Sequence, residues 1–450
     1  MLVVILGLCL VINLVGARLP ETAFDSLWYH LTLTKLYLTN GSIFHVPGGL
    51  LYYSEMPRLI ETMNIPLLRY LNIYGVHMAS FAFGLGSVWI LYLLSRKILD
   101  RTSMLLSLVI FYVTPLVSWL SASAYVDLQR TFFEVLAFYY LINKRYLLLG
   151  IALGLAVSTK TLSLGSLGIF LVLCLARRVS LKDVFKIYLS AFSVSLPWFV
   201  SAYLNTGYMF YPIGSGILDQ THNVGVNISN FFFDYWRLFI VSNDPISPIY
   251  VIFLPLLILT LRTFKSENEK TVLVYFFVSY LFWYVTPHTG GGRFILPYLP
   301  IWALLVGLVY SKISNSNLKL YLLVLIVLVS IINLGYRSLA VGRYWKYLVG
   351  WETESEYLCQ NLPFKTGVYY DCDGFMAKNI RANDLVLVTG VHNLYYINFP
   401  YVHESWYRGE RFNYVLTQGV NISPWIQTSL LGKSKLVYQN KLTDVRLWKL

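Results

Sequence analysis

"FDSLWYHL", residues 24–31, sets an aspartate, a tryptophan, a tyrosine and a histidine close behind an unbroken apolar run at about 1–17. Its acid needs water and its rings need an apolar surface, so the stretch belongs where a membrane helix meets solvent. The rest of the chain supports that placement. Of 450 residues, 57% are hydrophobic and only 13% are charged, against about 25% charged in soluble domains. Apolar runs of roughly 17 to 25 residues, the length of a bilayer-crossing helix, recur through most of the sequence.

The sequence therefore predicts a polytopic α-helical membrane protein with about eleven spans. They fall at about 1–17, 73–95, 103–121, 129–142, 146–159, 162–176, 187–204, 247–263, 271–286, 294–311 and 319–336. The first lacks a basic flank and is followed by further spans, which makes it an uncleaved anchor rather than a signal peptide. Basic residues cluster in alternate loops: Arg96, Lys97 and Arg101; Lys144 and Arg145; Arg177, Arg178, Lys182 and Lys186. By the positive-inside rule those loops and the N-terminus are cytoplasmic. The acids Glu21, Asp25, Glu61 and Asp127 fall on the other side. The net charge of +13 is then topology facing anionic lipid, and a nucleic-acid partner is not expected.

Three parts project outward: a loop at about 18–72, a second loop at about 205–246, and the tail. The expected division is a transmembrane domain over 1–336 and an extracytoplasmic α/β domain over 337–450. In the tail, "DLVLVTG" (384–390) has the pattern of a buried strand and "NLYYINFP" (393–400) that of a second strand or a turn. "SKLVYQNKLTDVRLWKL" (434–450) predicts a closing hairpin broken near Asn440, and "ESEYLCQNL" (354–362) has helical spacing. Cys359 and Cys372 lie on the oxidising side of this topology and are expected to pair. Cys9 and Cys174 sit in apolar spans as small hydrophobes.

Several residues stand out as candidates for chemistry. In a helix, Glu21, Asp25 and Tyr29 would share a face. An interfacial helix anchored by Trp28 and Tyr29 explains the aromatics, but not the gathering of Glu21, Asp25, His30 and Glu61 in one outer loop. Asp127 enters a span at its outer end, with Arg130 and Glu134 expected behind it as a structural ion pair. Lys160 and Arg293 are single cations at outer span ends. Snorkelling explains either alone, and the glycines at 290–292 before Arg293 could also form an anion nest. Taken together, outer-face carboxylates and membrane-level cations suit sugar transfer from a polyprenyl phosphate. A carboxylate would take a proton from the acceptor, and the cations would neutralise the departing phosphate.

These elements resemble the GT-C superfamily of integral-membrane glycosyltransferases, in particular the bacterial branch related to protein O-mannosyltransferases and the aminoarabinose transferase of lipid A. "FDSLWYHLTLTKLYLTNGSI" looks like that branch's first outer loop and "MPRLIETM" (56–63) its continuation. "AYVDL" (124–128) resembles its second acidic site. "GIALGLAVSTKT" (150–161), "PWFVSAYLNTGYMFYP" (197–212) and "GGGRFILPYLP" (290–300) follow in order. The likeness covers about 1–311; the tail is similar only in being a periplasmic-type α/β domain. The resemblance implies an inverting transfer with Asp25 as general base and Asp127 as the second catalytic acid. It implies Lys160 and Arg293 as donor-phosphate ligands, with Tyr29, His30 and Glu61 shaping the site. Ser26 stands where some members carry a second acid, so a divalent metal, if used, would draw on Glu21, Glu61 or Asp127 beside Asp25. The acceptor would be a lipid, a glycan or a protein. A transporter or flippase of lipid-linked saccharides is the alternative, but charges at the outer surface and the absence of a repeat favour the enzyme.

Overall fold

The computed structural model describes residues 1–216, 230–241, 244, 246–286, 291–419 and 422–450. In chain order its main helices are α1 (Leu2–Gly16), α2 (Leu31–Asn40), α3 (Leu59–Ser95), α4 (Arg101–Tyr112), α5 (Pro115–Leu120), α6 (Asp127–Ile142) and α7 (Tyr146–Thr159). There follow α8 (Leu164–Ala176), α9 (Leu181–Thr206), α10 (Phe231–Ile240), α11 (Ile249–Thr260), α12 (Glu267–Val285), α13 (Leu299–Lys312) and α14 (Ser316–Gly342). Each predicted span contains a helix. Three of these helices, α3, α9 and α14, are long and apolar enough to cross a membrane by length and composition, and several shorter apolar helices accompany them.

Two compact units divide the chain. One comprises Met1–Arg18, Glu55–Ile60 and His77–Arg343; the other comprises Leu19–Ser54, Glu61–Val76 and Tyr344–Leu450. In the first, the predicted span at 103–121 is split. Thr114 is extended and Pro115 opens α5, because proline has no N–H to continue α4 and disfavours helical geometry in the residue before it. Helices α7 and α9 meet through glycines: a Cβ on Gly150 would lie 1.9 Å from Ser190 Oγ, and one on Gly154 would lie 2.6 Å from the Ala191 carbonyl. Small residues of this kind let membrane helices approach closely where the hydrophobic effect supplies no drive. Leu8, Val11, Trp89, Leu175, Phe185, Ile332 and Leu339 are exposed, an apolar exterior suited to lipid.

The second unit joins the first outer loop to the tail. Its sheet has the order β2-β1-β3-β5-β4, with β1 at Val386–Thr389, β2 at Tyr401–His403, β3 at Tyr414–Gln418, β4 at Lys435–Asn440 and β5 at Val445–Lys449. Strands β2, β1 and β3 run parallel, and β5 and β4 return antiparallel as the expected hairpin. Alternation sends Val386, Val388, Leu416 and Leu447 into one core and Leu387, Val402 and Val415 into another. The segment 393–400 is a turn rather than a strand, and its last residue, Pro400, gives way directly to β2. Thr353 and Glu356 form a capping box that starts the predicted helix, Glu354–Asn361. Cys359 and Cys372 are disulfide-bonded across a sequence separation of 13.

Candidate functional site

In the loop-and-tail unit, Asp25 precedes a π-helical turn, Ser26–His30, that runs directly into α2. A π turn is widened by one residue and often marks a functional position. Here the Thr32 hydroxyl donates to the Leu27 carbonyl at 2.7 Å and Thr34 to that of His30 at 2.7 Å. Glu21 lies before the helix, and its Oε1 accepts the N–H groups of Thr22 (3.0 Å) and Ala23 (2.8 Å). It therefore does not extend the Asp25–Tyr29 face, because helical geometry begins only at Phe24.

Asp25 is half-buried and accepts the Tyr29 hydroxyl at 3.4 Å. The Tyr29 ring stacks on Tyr53 with centroids 3.7 Å apart. His30 Nδ1 meets Glu61 Oε1 at 2.6 Å with both residues buried, and Thr34 also donates to the Glu61 carbonyl at 3.2 Å. Four residues singled out in the sequence, Asp25, Tyr29, His30 and Glu61, thus belong to one unit and form a chain of contacts, with the Tyr29 and His30 rings 4.1 Å apart between the two polar pairs.

The tail reaches the same turn. Asn393 donates to the Phe24 carbonyl at 2.9 Å and Tyr396 to that of Glu21 at 2.7 Å. The Lys35 ammonium binds the carbonyls of Tyr395 and Ile397 and the Asn398 side chain at 2.6–2.7 Å. His392 stacks on Phe24 (5.1 Å) and packs against Trp28 (4.2 Å). Burial holds the His392 imidazole below its ordinary pKa, while the Asn393 hydrogen bond and the Asp25 charge oppose the shift. Burial likewise raises Tyr52, with the Asp25 charge a smaller contribution. Tyr52, Tyr53 and His392 escaped the sequence reading. A histidine just after the buried strand "DLVLVTG" was the available signal, since strand carboxyl ends carry ligands in α/β sheets.

In the helical unit, α6 and α7 are antiparallel neighbours joined by a short turn, so the start of one meets the end of the other. Asp127 opens α6, where the helix dipole favours an anion, and Lys160 caps α7, where it favours a cation. Lys160 Nζ lies 2.7 Å from Asp127 Oδ1, whose side chain has no exposed surface. The Phe294 ring has Lys160 Nζ 5.1 Å from its centroid and Arg293 Cζ 5.9 Å away. Arg293 also lies over Tyr125 at 4.7 Å. Lys160 and Arg293, distant in sequence, are therefore gathered around one aromatic ring. Arg293 itself sits in a tight turn, Gly291–Phe294, while Gly290 of the expected nest lies outside the described residues.

The expected Arg130–Glu134 pair resolves differently. Arg130 donates to Tyr298 (3.2 Å) and to the Leu162 carbonyl (3.4 Å), and Glu134 accepts from Tyr275 at 3.0 Å. Each thus meets a phenol in a site with almost no exposure, while Arg130 Nε and Glu134 Oε2 make no hydrogen bond among the described residues. Among the described residues no three His, Cys, Asp or Glu side chains gather to hold a metal ion; Asp25 and Glu61 each have aromatic or imidazole partners instead.

No protein-family model matches the sequence, and no curated protein matches it. Solved structures do. ArnT from Cupriavidus metallidurans bound to undecaprenyl phosphate matches 99% of this chain and 97% of its own at 12% identity and a TM-score of 0.69. The Archaeoglobus fulgidus oligosaccharyltransferase in complex with Zn and sulfate matches 92% of this chain and 67% of its own at 12% identity, TM-score 0.54. The arabinofuranosyltransferase AftD from Mycobacteria covers 100% of this chain and 39% of its own at 13% identity, TM-score 0.55. The chain has the fold of the GT-C integral-membrane glycosyltransferases.

Proposed function

We propose that this protein transfers a sugar from a polyprenyl-phosphate donor to an acceptor on the extracytoplasmic face of the membrane, with inversion. The observation that carries the reading is the gathering of Lys160 and Arg293 around Phe294. Two cations on one aromatic ring, Lys160 held by Asp127 at 2.7 Å, bring together the kind of groups that bind a phosphate. The fold shared with ArnT, whose crystal structure holds undecaprenyl phosphate, supports the same donor class.

In this scheme the Asp25 carboxylate takes the proton of an acceptor hydroxyl or amine as that atom bonds to the anomeric carbon. The bond from that carbon to the phosphate oxygen breaks, and the electron pair leaves with the polyprenyl phosphate. Lys160 and Arg293 bind the departing anion, which is where preorganised charge acts on the barrier. Asp127 holds Lys160 in position. Tyr29, through its hydroxyl on Asp25, and the His30–Glu61 pair shape the acceptor side. No step is routed through a metal. The proposal includes about eleven spans, a cytoplasmic N-terminus and an extracytoplasmic tail.

The test is turnover of a purified polyprenyl-phosphate-linked sugar, measured beside thermal stability. Arg293→Lys keeps the charge but loses the planar fork that grips two phosphate oxygens, so its turnover should fall while stability holds. Lys160→Ala and Arg293→Ala should be non-additive in combination if both act on one phosphate. Wild-type turnover in both alanine variants would make them membrane anchors and remove the donor site.

A further inference from the structure

Beyond α14 the chain makes a one-turn helix, Trp345–Leu348, and reverses at once. The reversal is a Schellman turn. Trp351 N–H donates to the Lys346 carbonyl at 2.8 Å and Gly350 N–H to that of Tyr347 at 3.0 Å, the paired bonds that close a helix through a left-handed residue. Gly350 supplies that residue, with φ 80°. The turn carries Trp351 back onto Trp345, with ring centroids 5.0 Å apart and planes at 64°.

The helix has two unlike sides. On one, Tyr344 and Tyr347 pack on Tyr357 at 5.0 and 5.1 Å, and the Tyr347 hydroxyl shares a 2.7 Å hydrogen bond with that of Tyr74. These tyrosines all belong to the loop-and-tail unit, so the turn is fixed to that unit. On the other side Trp345 is 45% exposed, Val349 57% and Trp351 75%. The contact between the indoles accounts for the turn's own packing and leaves much of both rings uncovered. At about 250 Å² for a tryptophan, the pair exposes on the order of 300 Å², the size of the largest apolar patch on a typical soluble monomer. Lys346 is exposed beside them.

We propose that this face is embedded in the phospholipid headgroup layer on the tail's side of the membrane, and that it sets the height of the loop-and-tail unit above the hydrocarbon. Chain length decides the occupant. The 27 residues of α14 span about 40 Å, the thickness of a bilayer with its headgroup layers, and α14 is among the helices able to cross a membrane by length and composition. Its end at Gly342 therefore comes at the headgroups, and any tilt only draws that end deeper. Trp345 follows three residues later, within about 10 Å by chain reach alone. Tryptophan collects in this layer because its ring is apolar and its N–H is not, and the Lys346 ammonium is matched there by lipid phosphate. This inference does not depend on sugar transfer.

The test uses the full chain with Val349→Cys carrying a nitroxide, in vesicles of palmitoyl-oleoyl phosphatidylcholine. Cys9 and Cys174 are buried and Cys359 and Cys372 are bonded to each other, so the label attaches at one place. Collision rates are measured with oxygen, which concentrates in the bilayer, and with a water-soluble nickel chelate. The oxygen-to-nickel ratio should exceed that of the free nitroxide in water about tenfold, a shift that moderate partitioning produces. Trp345→Ala together with Trp351→Ala should bring it most of the way back to the free value. Both side chains are exposed, so their loss leaves the fold in place. A ratio equal to that of the free nitroxide, a ratio unmoved by the double substitution, or dipolar broadening between labelled chains, the sign of a second copy on this face, would each overturn the proposal.

Discussion

Lowering the pH should loosen the tail's sheet through a single side chain. His403 ends β2 and is 5% exposed. Its Nε2–H donates to the Val391 carbonyl at 3.0 Å, and its Nδ1 accepts the Ser405 N–H at 3.1 Å. Both nitrogens are committed only in the neutral ring; a proton on Nδ1 would set it against the Ser405 donor. Burial is the largest influence and holds the imidazole at about 4, with the Glu404 charge and the Val391 bond opposing. Against an ordinary value of 6.5 this represents at most about 3 kcal/mol. The sign follows from proton counts: between pH 6.5 and 4 the unfolded chain holds a proton that the folded chain refuses, so stability falls as pH falls and is level above 6.5. At pH 4.5 the loss is about 2.5 kcal/mol, or a roughly seventyfold drop in amide protection if the sheet opens locally. The assay is hydrogen exchange of β1 and β2 peptides at pH 7 and 4.5, corrected for intrinsic rates. The reference is His403→Gln, which keeps a donor and an acceptor and does not titrate. Equal pH dependence in the two proteins, or level protection in the wild type, would refute the reasoning.

Lys160→Met should cost about 3–5 kcal/mol, because the buried Asp127 carboxylate loses this cation. Adding Asp127→Asn should recover most of that loss in a thermal-shift measurement; a Lys160→Met protein as stable as the wild type would show the pair to be inert. Asp25→Asn retains shape and removes basicity, so transfer should fall at least about a hundredfold while the circular dichroism spectrum is unchanged. Full activity would take Asp25 out of the scheme. A reporter active only in the cytoplasm, fused after Leu450, should stay silent, and a bright signal would overturn the proposed topology.

The helices were legible because long apolar runs specify them without help from distant residues. Helix α7 begins and ends where the sequence places it, and α4 and α5 divide at a proline that the sequence already displays. The Lys160–Asp127 pair was within reach, since antiparallel neighbours joined by a short turn bring those two ends together. The partners of Arg130 and Glu134 were not, because Tyr298 and Tyr275 come from helices whose packing no local pattern encodes. Strand β2 is three residues long and is defined by pairing with β1, so its own sequence has too little alternation to announce it. His392 acquires its significance only when the end of β1 is set beside Phe24 and Trp28, an alignment of two distant segments. That alignment depends on tertiary register.

The π turn at Ser26–His30 acts as a phase shifter. One residue of an α-helix spans about 100° of rotation, and the turn inserts that much between its two flanks. Downstream, His30 and Thr34 are keyed to Glu61; upstream, Phe24 and Asp25 are keyed to Asn393, His392 and Tyr29. Deleting Leu27 within the turn would restore regular α-helix and leave Asp25, Tyr29 and His30 chemically intact. It would still swing the acid about 100° out of step with the histidine, uncoupling two halves of a loop that differ by nothing except their angular setting.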